Sequence, residues 1–386
     1  MTEKKRKVLI CIDWFLPAYK AGGPIQSVAN LVEHIKDEYD FYIATSNSDI
    51  DEELDIDNTL LNKWIEKGGY KIIYLDSKHQ TLSFYKKIFK KEKFDSVYFN
   101  SLFSRNFTLI PFLFFRNLNT NMVLAPRGML GKGALSIKPI KKKLFLSLFK
   151  VLRFHRHITW HATAESEMQE IKKCFGDQSK VLIAPNLSGK LNLENLHKTK
   201  EVNKINVFFL SRISYKKNLL SAITFLSEVH ERYHINFSII GPIEEEEYWK
   251  KCKNEQEKLP RNISVEYLGA IPHSEIVNYL KEQHVLLLPT HHENFGHVIM
   301  ESWQNGCPVI ISDQTPWKDL EKQNIGFDIP IFYKDRFIKA LEFFAAMDDK
   351  EFSRWSSASI VYAEKFTENP ELLEQNKALF LNAINT

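Results

Sequence analysis

Largely apolar runs of three to five residues recur along the chain, most of them followed by a polar turn and then a longer stretch with the rhythm of an amphipathic helix. In the first half they are Val8–Ile12, Phe41–Ala44, Ile72–Leu75, Ser96–Phe99, Met122–Ala125, Ile158–Ala162 and Val181–Ala184. In the second half they are Val207–Leu210, Phe237–Ile240, Val265–Leu268, Val285–Leu288 and Val309–Ile311. Short continuous runs suit strands buried on both faces, and helix-length segments between them suit the crossovers of a parallel sheet. The alternation predicts an α/β, doubly wound protein. After Pro185-Asn186 the chain turns polar and loses its large apolar clusters. That change predicts a linker over 188–203 between an N-terminal domain, 1–187, and a C-terminal domain, 204–365. Pro370 opens a last helical segment, within 366–386, able to stand apart from the second core and return to the first domain.

Two strand ends carry candidate chemistry. The loop after Val8–Ile12 closes on Gly22-Gly23 before a helix opening at Pro24, an order of strand, glycine loop and helix that can cradle an anion. It is not GxGxxG, and no acidic residue closes the following strand in the dinucleotide manner. The richer stretch is His291–Ile311. Asn294-Phe295-Gly296 predicts a helix entry after the strand Val285–Leu288, and Asn305-Gly306 predicts its end. Glu293 then precedes the helix and Glu301 lies within it. First-turn amides around Gly296, His297 and Val298 make a donor-rich pocket suited to a phosphate, with glycine at 296 letting a ligand approach the backbone.

Composition narrows the classes. With 386 residues, 44% of them apolar, burial is not limiting and two domains of ordinary size are expected. The 52 basic residues against 48 acidic ones leave a formal charge of +4, so no global field argues for nucleic acid. Cys11, Cys174, Cys252 and Cys307 form no CxxC pair, which disfavours both a zinc site and a disulfide framework and fits a reducing cytoplasm. His291, His292 and His297 match no zinc spacing, and no metal is expected. No signal peptide or membrane span is expected either, since the charged N-terminus runs straight into a strand. The acidic stretch Asp49–Asp57 contains two DxD triplets but reads as a solvated surface loop rather than a metal site.

Lys138–His157 carries seven lysines and arginines and no acid, with Ile140, Leu144, Leu148 and Leu152 four apart on one helical face. Two readings stay open for it. One is an outer helix packed on the sheet with a wet basic rim; the other is peripheral contact with anionic lipid, or with a lipid-phosphate acceptor, at the inner face of the cytoplasmic membrane.

Glu293-Asn294-Phe295-Gly296 with Glu301, followed by Asn305-Gly306-Cys307-Pro308-Val309-Ile310, resembles the E-x7-E segment of glycosyltransferase family 4, the retaining, metal-independent group 1 enzymes. Gly22-Gly23, Ser211-Arg212 with Lys217-Asn218-Leu219, Gly241-Pro242 and Asn186 extend the resemblance over nearly the whole chain. It implies a GT-B fold, two facing Rossmann-like domains with an interdomain cleft. It further implies a nucleoside diphosphate sugar as donor, no cofactor, and a glycan or lipid-linked acceptor in capsule, O-antigen, lipopolysaccharide or exopolysaccharide biosynthesis. Donor binding would fall to Gly22, Gly23, Arg212, Lys217, Glu293, Asn294, Phe295, Gly296, His297, Val298 and Glu301, and catalysis to Glu293, Arg212, Lys217 and Arg127.

Within that set, Glu301 is implied to accept from ribose hydroxyls and Glu293 from hydroxyls of the transferred sugar, while Arg212 and Lys217 meet the diphosphate charge. Arg127, in Pro126-Arg127-Gly128-Met129, stands where many relatives carry a histidine, and is expected to steady a phosphate or an acceptor anion. His161 reads as a satisfied core histidine, and Glu167 matches a recurring glutamate without an assigned role. Two rivals share the architecture: a sugar-nucleotide epimerase, and a catalytically silent partner of a polysaccharide assembly complex. A phosphorylase would need a pyridoxal lysine motif, and none stands out.

Overall fold

The computed structural model describes residues 4–118, 120–136, 138–190 and 198–381. The chain divides into two compact units, Met1–Leu187 with Asn369–Thr386, and Ser188–Glu368.

The first unit is built on strands β1 (Arg6–Ile12), β2 (Tyr39–Ser46), β3 (Ile65–Lys67), β4 (Tyr70–Leu75), β5 (Ser96–Asn100), β6 (Asn121–Ala125), β7 (Thr159–Ala162) and β8 (Val181–Ile183). They lie in the order β8-β7-β6-β5-β1-β2-β4-β3, parallel except for β3, an antiparallel edge strand absent from the apolar pattern because it reads Ile-Glu-Lys. Side chains of β1 alternate between two cores. Val8, Ile10 and Ile12 pack on one face of the sheet; Leu9 and Cys11 pack on the other. Both faces are therefore covered, as a continuous apolar strand requires. Helices α1 (Gly23–Ile35), α2 (Pro139–Val151) and α3 (Glu165–Phe175) lie among the crossovers.

The second unit carries β9 (Lys204–Leu210), β10 (His234–Ile240), β11 (Ile263–Gly269), β12 (Val285–Leu288), β13 (Val309–Ser312) and β14 (Gly326–Ile329), all parallel in the order β11-β10-β9-β12-β13-β14. Among its helices are α4 (Leu219–Leu226), α5 (His273–Leu280), α6 (His297–Gln304) and α7 (Asp349–Thr367), the last opened by a capping box between Asp348 and Glu351. Helix α8 (Pro370–Leu381) then returns to the first unit, where Phe380 packs on Tyr39, Phe41 and Tyr98 and the Leu379 carbonyl accepts from Asn121 Nδ2.

Two expectations change, and one reading left open is narrowed. Residues 188–203, expected as a linker, are counted in the second unit. Of these, 191–197 lie outside the described residues, but Lys198 and Lys200 are buried. Lys198 Nζ donates to the Leu280 and Lys281 carbonyls and Lys200 Nζ to those of Ala345 and Met347, so polar composition here reflects capping of helix ends. The acidic stretch after β2 is not all solvated. Asp49 is buried and accepts from the Tyr19 and Lys20 amides at 2.7 and 3.0 Å, pinning the loop that leads into Gly22-Gly23. On α2 the face that packs is Phe145, Leu146 and Phe149, against Phe103, Phe112 and Trp160; Ile140, Leu144, Leu148 and Leu152 point outward.

Candidate functional site

In the second unit the carboxyl ends of β9, β10 and β12 supply most of the predicted site. The loops after β9 and β10 run side by side: Ser211 N–H donates to Ile240 O and Ile213 N–H to Pro242 O. A Cβ on Gly241 would stand 2.0 Å from the Ser211 carbonyl oxygen, so only glycine permits this approach. The pairing brings Glu244 to Arg212, and their side chains form an ion pair. One short helical turn later, Lys217 reaches Glu293. That pair is mostly shielded, with side-chain exposures of 13% and 11%. Burial pushes the Glu293 carboxyl up, but Lys217, joined by Lys216 and His292, outweighs it and holds the group below its ordinary value.

Backbone bonds fix this corner. His291 N–H donates to Lys216 O, Glu293 N–H to Gln314 O, and Asn218 Nδ2 to Pro289 O, tying the loops after β9, β12 and β13 together. Gly296 then caps α6 with φ of 78°, and a Cβ there would meet Ile299 Cδ1 at 2.7 Å. The positive φ and the Ile299 contact by themselves require glycine here. Ile299 N–H is bonded back to Gly296 O, with the amides of His297 and Val298 ahead of it in the first turn. Glu301 follows on the same helix, where its Oε1 meets His273 Nε2 of α5 at 3.1 Å. Burial raises the Glu301 carboxyl, and His273 with His297 reverses that to a net lowering. The hydrogen bond to Glu301 raises the His273 imidazole in turn, against the effect of burial.

Two predicted donor contacts are engaged within the protein. The Phe295 ring is buried against Trp317 and Phe366, and its carbonyl accepts from Trp317 Nε1, because the helix entry needs an apolar anchor in the core. Asn294 Oδ1 is engaged by His292 Nε2 at 2.8 Å. The three clustered histidines disperse, since His291 stacks on Tyr215 and His297 lies against Phe295. Among the described residues, no group of three or more His, Cys, Asp or Glu side chains is placed to hold a metal ion.

In the first unit, Gly22 caps α1 with φ of 66°; Pro24 removes one first-turn donor, and the Ile25 and Gln26 amides both turn to the Gly22 carbonyl. The fold engages all three nitrogens of Arg127, through three of its five N–H donors. Nε donates to Asn100 Oδ1 and Nη1 to Asn186 Oδ1, each at 2.6 Å, and Nη2 donates to Tyr98 OH at 2.8 Å. The reason is topological: β5 and the segment after β8 present Asn100 and Asn186 at the same sheet end as Arg127. Tyr98 OH in turn meets His161 Nδ1 at 2.8 Å, and His161 Nε2 meets Ala184 O at 2.7 Å. One ordering satisfies the chain: arginine donates to the phenol, the phenol to a neutral imidazole, and the imidazole to the carbonyl. Burial and Arg127 hold His161 down at about 3, in keeping with that neutral form. Glu167 acquires a role here. Its carboxylate accepts from Gly128 N–H and from the Thr163 amide and hydroxyl, clamping the Arg127-Gly128 turn to the start of α3.

Sequence reading gave no site role to Glu244, His273, Asn100 or Asp49. Only His273, one residue after Pro272 at a helix start, carried a local signal, and that signal did not name its partner.

Residues 194–359 match the family described as glycosyl transferases group 1. A protein in the cps region of Klebsiella pneumoniae, described as uncharacterized, is 31% identical over 137 residues, 34% of this chain and 35% of that protein. The poly(glycerol-phosphate) alpha-glucosyltransferase of Bacillus subtilis (strain 168) is 29% identical over 151 residues, 39% of this chain and 21% of that one. The matched stretches thus span about a third or less of these relatives' length. Among solved structures, Anabaena Alr3699/HepE in complex with UDP and glucose superposes with a TM-score of 0.70 at 15% identity, over 97% of this chain and 98% of the other. That likeness shows the fold, the GT-B class of two Rossmann-like units.

Proposed function

We infer, from a second unit that belongs to the glycosyl transferases group 1 family, that this chain moves a sugar from a nucleoside diphosphate sugar to a hydroxyl acceptor. The observation that carries the reading is the shielded Lys217–Glu293 pair beside the first turn of α6, with Glu301 eight residues on and held by His273. Both cations that would meet the diphosphate are paired with carboxylates in this state, yet neither is used up. Lys217 offers three N–H donors and Arg212 five, so each can keep its carboxylate and still donate to phosphate oxygens. Charge-assisted contacts of this kind are worth about 1.5–3 kcal/mol each. The Anabaena neighbour solved with UDP and glucose supports a UDP-type donor.

In the reaction, the bond from the anomeric carbon to the diphosphate oxygen breaks and a bond to the acceptor oxygen forms on the same face, retaining configuration. The departing phosphate takes the acceptor proton. Arg212, Lys217 and the α6 amides stabilise the charge on the leaving group, the work that a divalent ion does elsewhere. Glu293 orients the sugar and Glu301 the ribose, each carboxylate offering two acceptor oxygens to a diol. A polysaccharide or lipid-linked acceptor fits the cps-region and glucosyltransferase relatives.

The test is a thermal-shift panel of nucleoside diphosphates and their sugars on the whole chain, followed by product analysis with the binding donor in chelator. A ligand that binds the folded state raises the melting temperature with the logarithm of its concentration. Expected are stabilisation by one diphosphate family and an α-linked product from an α-linked donor. An inverted product or a strict need for a divalent ion would refute this mechanism, and indifference to every nucleotide would refute the reading itself.

A further inference from the structure

The outward face of α2 is the largest departure from ordinary surface in the first unit. Ile140 is 81% exposed, Leu144 70%, Leu148 55%, Val151 77% and Leu152, at the helix end, 48%. At 3.6 residues per turn these five fall within about 120° of arc, bordered by the part-buried Phe145 and turned away from the buried Leu146 and Phe149. A lone exposed leucine needs no explanation, but a continuous stripe of five does. The helix thus has two apolar faces, and its own sheet covers one of them.

Charge says what covers the other. Lys138, Lys141 and Lys143 at one end and Arg153 and Arg156 at the other are all exposed, and among the described residues none of them pairs with a carboxylate. The two remaining cations are committed to the protein. Lys142 donates to the Ala134 carbonyl and lies over Phe103, and Lys150 lies over Phe175. No acid interrupts the span Lys138–His157. A protein partner suited to this surface would have to present an apolar groove inside an acidic ring; an anionic bilayer presents both features by its nature, apolar chains beneath a negative headgroup plane.

We propose that α2 is a membrane-docking element: Ile140, Leu144, Leu148, Val151 and Leu152 enter the acyl boundary of an anionic phospholipid surface while the flanking lysines and arginines bind its headgroups. No described helix is long and apolar enough to cross a membrane, so the attachment lies in the interface plane. The proposal is independent of which reaction the chain performs.

The experiment is co-sedimentation of the whole chain with vesicles of phosphatidylcholine alone and of phosphatidylcholine mixed with phosphatidylglycerol, beside the double variant Leu144→Glu/Leu148→Glu. Both positions are exposed, and an unchanged melting temperature of the variant certifies its fold. Wild type should partition to the anionic vesicles and not to the neutral ones, and added salt should weaken it. The double variant should lose at least about tenfold in partition, since burying one leucine alone is worth that much. Equal partition to both vesicle types, no partition to either, or a wild-type dimer in lipid-free solution that the double variant dissociates would each overturn the proposal. Nucleotide binding by the same protein is a separate readout, so failure here leaves the transfer reaction untouched, and the reverse holds.

Discussion

Replacing Lys217 with methionine keeps the stem and removes only the ammonium, leaving Glu293 shielded without its principal cation. Breaking a buried ion pair by losing one partner costs about 3–5 kcal/mol. Lys216 still acts on Glu293, which brings the expected loss nearer to about 2–3 kcal/mol at pH 8. The pH dependence carries the test. In the wild type the Glu293 carboxyl lies below its ordinary value, so the pair's contribution is present above the unfolded carboxyl pKa, about 4.3, and is lost as the pH falls through the lower folded value. In the variant, burial outweighs what Lys216 still supplies and raises the carboxyl, so the variant recovers as the pH falls from 8 towards 5. Scanning calorimetry of the whole chain should therefore show a smaller deficit at pH 5 than at pH 8. Adding Glu293→Gln should restore most of the pH 8 loss, because the stranded charge is gone. A deficit equal at both pH values, and unrelieved by Glu293→Gln, would refute the electrostatic account. The same Lys217→Met protein should bind UDP about 10- to 150-fold more weakly, the equivalent of one charge-assisted contact.

Three further outcomes are expected. His273→Gln should cost under about 1 kcal/mol, because the imidazole is 40% exposed and its pair with Glu301 is screened. The raised imidazole contributes fully below its unfolded pKa of about 6.5 and loses that contribution as the pH rises through the folded value, so the deficit seen in melts at pH 6 should vanish by pH 9. Arg127→Met strands the Asn100 and Asn186 side-chain oxygens and should destabilise the first unit by about 2–4 kcal/mol in calorimetry, with nucleotide affinity unchanged. Gly296→Ala should cost about 1–2 kcal/mol from its positive φ, with a further loss from the Ile299 contact that Ile299→Val relieves.

Much of the architecture was legible because its cause is local. A four-residue run such as Val285–Leu288 has no partly exposed solution, so it commits to a two-sided strand wherever the chain places it. Glycine turns and the Asn305-Gly306 stop are equally local, which is why α6 and its two glutamates stand where the spacing put them. The apolar stripe of α2 left two readings open for the complementary reason. Periodicity tells that four residues share a face; it does not tell whether that face meets the sheet, and here the three aromatic and aliphatic side chains between them fill the core instead.

Pairings across the sheet lay beyond the sequence. Lys217 and Glu293 are 76 residues apart, His273 and Glu301 28, and Arg127 and Asn186 59. Each pair exists because parallel strands deliver their carboxyl ends to one edge, and which loops become neighbours depends on strand order rather than chain order. The sequence by itself determined which residue types stand at those ends: cations after β9, carboxylates around α6, an arginine after β6. The tertiary structure alone decided which of them are spent on one another, turning Arg127 into a brace between strand ends and leaving Lys217 and Arg212 paired but with donors to spare.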